Sequence, residues 1–343
     1  MRSGIDHGVA AWSTMSWRES AVAWVDAQLA GAGNERTGVV EQASLRPWAT
    51  VLRVPTTDGP VWLKAAGPGT RFEVALYELL ARTVPDRVLT PIGTDPARGW
   101  ILLPDGGPSL GERKAGTDLV EALIAALVQY GRLQRELEPH VDQILSLGVA
   151  DMRPAAMPER FNQALRAVSA AGEGRRDSAA RSIERRVGAM AETVASWCER
   201  LAASPVPPSL DHNDLHPWNI LIAKETGQAR YYDWGDSVVA HPFAAMLVPL
   251  GFVQRGLATE LDDPRFLRAR DAYLDVFTDL APRPELIETL ALACRVGKIA
   301  RALTWDRALQ AARTQGEAVD ARFENAPLHT LASLLDDSYL GGA

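Results

Sequence analysis

Two hydrophobic periods divide the chain. Near its start, apolar residues recur at every second position in short runs. Thr50-Val51-Leu52-Arg53-Val54 and Pro60-Val61-Trp62-Leu63-Lys64 flank Thr56-Thr57-Asp58-Gly59, whose Asp-Gly pair suits a tight hairpin turn. Arg98-Gly99-Trp100-Ile101-Leu102-Leu103 reads as the last strand of this region. Between them, Thr70–Ala81 carries Phe72, Leu76, Leu79 and Leu80 on one helical face. Pro104-Asp105-Gly106-Gly107-Pro108 forms a turn-rich linker, and after it the helical period takes over. Residues 117–138 place Leu119, Leu123, Ala126, Leu127, Tyr130 and Leu133 along one face. Residues 157–203 predict two helices broken at Ala171-Gly172-Glu173-Gly174, and the chain from Pro264 onward is helical again. The pattern predicts an α+β, two-lobed protein: a strand-rich lobe over 1–103, a hinge over 104–108 and a mainly helical lobe over 109–343. A chain of 343 residues can bury the cores of both.

Inside the helical half, two short strand-like runs stand out. Ile220-Leu221-Ile222-Ala223 and Ala229-Arg230-Tyr231-Tyr232 are separated by Lys224-Glu225-Thr226-Gly227-Gln228, which predicts a hairpin. Before it lies Asp211-His212-Asn213-Asp214-Leu215-His216-Pro217-Trp218-Asn219, and after it Asp233-Trp234-Gly235. A hairpin brings Asn219 and Asp233 together, so both can reach one cation. Hard oxygen donors suit magnesium better than zinc. An aspartate, an amide oxygen and a second carboxylate are what phosphoryl transfer from ATP requires: a base for the hydroxyl proton and ligands for the metal. Read without that context, Asp214-x4-Asn219 is a common spacing, His212 and His216 are structural or a zinc pair, and Pro217 marks a turn. The neighbouring proline and strands argue against the helix a zinc pair usually uses.

The segment resembles the aminoglycoside phosphotransferase and choline kinase group, which shares His-x-Asp-Leu-His-x-x-Asn followed by an aspartate at a strand end. The resemblance implies a fold like that of the protein kinases, with Asp214 as catalytic base, His212 supporting the loop, and Asn219 and Asp233 as magnesium ligands. Two departures stand out: Trp218 holds a place usually given to a small residue, and the family's Asp-Pro-x-x-Asp appears as His241-Pro242-Phe243-Ala244-Ala245. The second concerns a strut under the catalytic loop.

A kinase also needs a lysine on the ATP phosphates. Lys64 closes a predicted strand, and Glu73, on the helix that follows, is the carboxylate that the resemblance pairs with it. Glu78 competes for that role, and Thr70 with Glu73 also fits a capping box. Ser44–Thr50 lacks the glycines of a protein-kinase phosphate loop; Arg46 and Thr50 are its candidate phosphate contacts, against an ordinary turn. Backbone groups around Leu103 and Asp105 would meet the adenine edge. No Walker sequence is present, which argues against a P-loop enzyme.

A net charge of −7 with mixed signs argues against a nucleic-acid partner. No apolar run is long enough for a membrane span, Met1–Asp6 is unlike a signal segment, and the cytoplasm is the expected location. Cys198 and Cys294 are expected reduced and buried. Asn213 stands where protein kinases carry an arginine, and Ser237–Ala240 runs straight into Pro242 with no activation segment, so a peptide acceptor is unlike this chain. A small hydroxylated acceptor is left: an aminoglycoside or other antibiotic, an amino sugar or a choline-like metabolite, in resistance or in metabolism. His216, Asp236, Trp305-Asp306-Arg307, Glu317 and Asp320 are candidate lining. A catalytically silent, nucleotide-binding kinase fold is the alternative, although Asp214, Asn219 and Asp233 are all present.

Overall fold

A computed structural model describes residues 7–172, 178–223, 226–319 and 323–341. The chain falls into two compact units. Residues through Gly107 form the first, with Arg230–Gly235 and Arg307–Val319. Helices α1 (Val9–Trp12) and α2 (Met15–Gly31) precede strands β1 (Glu41–Arg46), β2 (Ala49–Val54) and β3 (Val61–Ala66). Helix α3 (Phe72–Thr83) follows, then β4 (Gly93–Asp95) and β5 (Trp100–Pro104). The strands make one antiparallel sheet in the order β1-β2-β3-β5-β4. Alternation explains the register: Leu52, Val54, Val61 and Leu63 turn to one face and are buried with Val25 and Leu29 of α2. Lys64 lies on the opposite face from Leu63, opposite Val51 and Ile101 in the ladder.

The second unit is built on α5 (Gly116–Leu137), which follows the short α4 (Leu110–Arg113). After α6 (Val141–Ser146) and β6 (Ala150–Met152) come three helices, α7 (Met157–Gly172), α8 (Ser178–Gly188) and α9 (Ala191–Ala202), where the sequence pattern suggested two. The extra break lies at Ala189-Met190, inside a charged amphipathic stretch whose apolar period alone does not mark it. Of the expected break at 171–174, Glu173 and Gly174 lie outside the described residues. Strand β7 (Ser209–Asp211) leads to the motif, β8 (Ile220–Ile222) and β9 (Ala229–Tyr231) form the hairpin, and β10 (Val238–Ala240) lies between β6 and β7. The hairpin closes through the Ala223 N–H to the Gln228 carbonyl, 2.9 Å. Helices α10 (Leu247–Leu257), α11 (Pro264–Leu274), α12 (Arg283–Thr314) and α13 (Ala326–Ala332) complete the chain, the last residues of α12 belonging to the first unit. No described helix is long and apolar enough to cross a membrane.

Candidate active site

In the first unit, Lys64 is bracketed by two carboxylates. Its Nζ donates to Glu73 Oε1 at 2.8 Å and to Asp233 Oδ1 at 2.5 Å. Burial alone would lower the pKa of this ammonium, but Asp233 and Glu73 outweigh it and hold it above its ordinary value. Glu73 is 1% exposed, so its charge depends on Lys64. The capping-box expectation for Thr70 fails: the N-cap of α3 is Arg71, with no side-chain cap, and the Glu73 N–H goes to the Thr70 carbonyl. Glu78 is engaged elsewhere, accepting from Thr94 Oγ1 at 2.5 Å. Helix α3 also supplies Tyr77, whose hydroxyl accepts the Asp233 N–H at 3.3 Å and fixes the strand end. Asp233 sits at φ +63, a left-handed conformation that aspartate tolerates better than most side chains. Gly235, two residues on, lies so close to the pair that an added Cβ would be 3.2 Å from a Glu73 oxygen.

Thr50 does not point at a ligand. Its hydroxyl is buried, donating to the Ser44 carbonyl at 2.8 Å and accepting from Gln42. The segment is the tight turn of the β1–β2 hairpin, with Arg46 opposite Ala49. Leu103 pairs with Trp62 in the sheet, and the Asp105 carboxylate accepts from Trp62 Nε1 at 3.1 Å.

In the second unit, the catalytic loop is held from below by α5. The Tyr130 hydroxyl accepts the His212 N–H at 2.9 Å, and Gln134 donates to the carbonyls of Leu210 and Pro242. Both side chains are fully buried, so the helix places a polar rung under the end of β7. His212 is itself wholly buried. Asp211 accepts the Asn213 N–H at 2.6 Å, yet burial pushes its carboxyl up to about 7. Asn213, just before Asp214, takes φ +59, a left-handed conformation that asparagine tolerates. The Asn219 amide nitrogen donates to the Asp214 carbonyl at 3.0 Å, leaving its oxygen as the group able to hold a cation. That oxygen is a hard donor of the kind that magnesium prefers.

The sequence reading missed Arg301. From α12, its Nη2 meets Asp214 Oδ1 at 2.7 Å, while its Nη1 donates to the Asn213 carbonyl at 2.9 Å and lies 3.8 Å from Asp236. His216 Nε2 is 3.5 Å from the other Asp214 oxygen. Burial works to raise the Asp214 pKa, but the His216 hydrogen bond and the Arg301 charge hold it well below the usual carboxylate range. Asp214 is thus a carboxylate at any physiological pH. A signal was available: residues 292–303 are apolar on every face except for Arg295, Lys298 and Arg301. Charges inside so apolar a helix need dedicated partners. Thr304, one turn on, accepts from Asn213 Nδ2 at 2.8 Å.

The remaining candidates divide. The Asp236 carbonyl accepts from Asn213 Nδ2 at 3.3 Å. Trp305 stacks on Phe323 and carries Arg301 over its ring, whereas Arg307 belongs to the first unit and donates to the Gly235 carbonyl. Glu317 also lies in the first unit, and Asp320 falls outside the described residues. The missing Asp-Pro-x-x-Asp strut has a substitute. His241 Nδ1 caps the turn at Pro242–Met246, accepting the Phe243 N–H at 3.3 Å as a carboxylate would.

The model of the phosphotransferase enzyme family, to which aminoglycoside phosphotransferases give their initials, matches residues 39–272. The chain belongs to this family. The matched span begins ahead of β1 and runs into α11, so it contains Lys64, Glu73, the catalytic loop and Asp233. Solved phosphotransferases and kinases share the fold. The ethanolamine kinase of Plasmodium vivax superposes with a TM-score of 0.61 at 12% identity, over 96% of this chain and 91% of its own. A macrolide 2′-phosphotransferase from Brachybacterium faecium gives 0.53 at 18%, over 90% and 97%. Wild-type aminoglycoside 2′-phosphotransferase-IIIa, solved with GDP, gives 0.52 at 14%, over 90% and 96%. None of the curated proteins matches the chain. The fold is therefore the protein-kinase-like one, with a five-stranded antiparallel sheet in the first unit and a helical second unit.

Proposed function

We propose that this phosphotransferase moves the γ-phosphoryl group of a nucleoside triphosphate, ATP in the first instance, to a hydroxyl of a small molecule. The observation that carries the reading is the state of Asp214: a carboxylate kept ionised and oriented by Arg301 and His216. Lys64, aimed by Glu73, would neutralise nucleotide phosphates, and Asn219 and Asp233 would hold magnesium, which supplies charge neutralisation on the transferred group. Asp214 would orient the acceptor hydroxyl and take its proton as the new P–O bond forms. Its depressed basicity suits a late proton transfer, since the loose transition state asks mainly for orientation of the nucleophile.

The solved relatives act on ethanolamine, macrolides and aminoglycosides by their names. Those names frame the search for an acceptor, and the GDP complex makes GTP a donor to test beside ATP. Release of ADP or GDP, measured with magnesium against a panel of antibiotics, amino sugars and amino alcohols, tests the reading. A saturable, acceptor-dependent signal is expected, and Asp214→Asn should lower it by roughly 10²–10⁴-fold with nucleotide binding retained. Unchanged turnover in that variant would remove Asp214 as the base. Failure of either nucleotide to bind would remove the proposal altogether.

A further inference from the structure

Beside the loop that carries Asp214, three aromatic rings meet. His216, Trp218 and Phe252 of α10 lie with ring centroids 6.0–6.1 Å apart. His216 is also the residue 3.5 Å from Asp214, so the cluster adjoins the base directly. Trp218 is 44% exposed, an unusual state for the largest apolar side chain. Its seat is nonetheless built: a Cβ on Gly111 would come within 2.5 Å of the indole, so the ring rests on bare backbone of α4. The chain thus combines a tryptophan where the family's motif has a small residue with a glycine that makes room for it.

Charge around this face is not what a cationic acceptor needs. The Arg255 guanidinium lies 5.0 Å over the Phe252 ring and takes the π face that an ammonium would use. Asp214 is already compensated by Arg301 and His216, and Asp236 lies 3.8 Å from Arg301. A polyamine would meet guanidinium groups where it wants carboxylates. A flat, uncharged ring would instead bury the exposed indole and the half-buried Phe252, and keep its hydroxyl within reach of Asp214.

We propose that Trp218 and Phe252 receive the ring of the acceptor, and that this acceptor is a neutral, ring-bearing alcohol rather than a polycationic amino sugar or a quaternary amine. The proposal rests on the phosphotransferase reading and narrows its substrate class. Fluorine NMR on 5-fluorotryptophan-labelled protein tests it, with Trp218→Phe assigning the Trp218 line. Phenyl β-D-glucoside, uridine and a neutral macrocyclic lactone serve as ring-bearing probes, with kanamycin and choline as cationic ones. The expected result is a saturable shift of the Trp218 line with at least one neutral probe, none with the cations, and half-saturation raised about tenfold or more in Phe252→Leu. Phe252→Leu keeps an apolar side chain in place, so its effect reads the ring and not the fold. A line moved by the cations and not by the neutral probes, or by none of the five, overturns the proposal. So does an equal shift with a non-hydrolysable magnesium–ATP analogue alone, which would assign the ring to the nucleotide. Nucleotide binding followed separately reports on the phosphotransferase reading, so the two can fail independently.

Discussion

At the residue scale, Asp214 is defined as much by its neighbours as by its place in the motif. Arg301 binds both the Asp214 side chain and the carbonyl before it. Replacing Arg301 by Gln removes the 2.7 Å partner but leaves in place the His212 N–H bond to Tyr130 and the Asn213 side-chain bond to Thr304. We expect turnover to fall by roughly tenfold to a hundredfold while the KM for nucleotide stays within about twofold, because orientation of the acceptor hydroxyl is what is lost. Steady-state kinetics with each substrate varied would show this. A rise confined to the nucleotide KM would contradict the role given to Arg301. The Lys64–Glu73 pair illustrates the same dependence, since a carboxylate 1% exposed is tolerable only beside its ammonium.

At the scale of elements, the turn at Pro242–Met246 carries a pH dependence that the family's aspartate would not. His241 is buried and its pKa is pushed down to about 3 from an ordinary 6.5, and Nδ1 already accepts the Phe243 N–H. Between those two values the unfolded chain binds the proton that the folded chain refuses. This group therefore costs stability as pH falls from about 6.5, by up to ~1.4 kcal/mol per pH unit. Asp211, raised to about 7, contributes a slope of opposite sign over much of the same range. It cancels when wild type and His241→Asn are compared, since both carry it. Asn keeps a capping oxygen, so we expect the variant to gain on wild type steadily as urea unfolding is moved from pH 7 to pH 4. Parallel pH profiles for the two proteins would rule the histidine out as the source. Helix α5 serves the same loop through hydrogen bonds to its buried Tyr130 and Gln134.

At the scale of the whole molecule, the residues named for the reaction are divided by unit: Lys64, Glu73 and Asp233 belong to the first, Asp214 and Asn219 to the second. A ligand that binds only the native chain stabilises it by mass action, about 2.7 kcal/mol at a hundred times its Kd. Magnesium–ATP should accordingly raise the melting temperature by several degrees. Removing magnesium with EDTA should abolish most of that gain, as should Asp233→Asn. Calorimetry with and without metal decides it, and a full shift in EDTA would show that the nucleotide is held without the cation.

How far the sequence reached follows from the range of the forces involved. Hydrophobic alternation, the Asp-Gly turn and the spacing from Asp214 to Asn219 are local, and they sufficed for β2, β3, α3, α5, the β8–β9 hairpin and the catalytic loop. The choice of Glu73 as the partner of Lys64 came from the family resemblance, and the two meet at 2.8 Å. The Thr70 cap, the Thr50 contact and the break at Ala189-Met190 were not legible, since each depends on which of several bonds packing permits. Only the tertiary structure could bring Arg301 to Asp214 across 87 positions of sequence, or set Gly111 beneath Trp218. Those contacts are fixed by how α12 and α4 pack, which no local pattern encodes. Sequence alone therefore pointed to the kind of chemistry, and folding decided how Asp214 is held and what lies beside it.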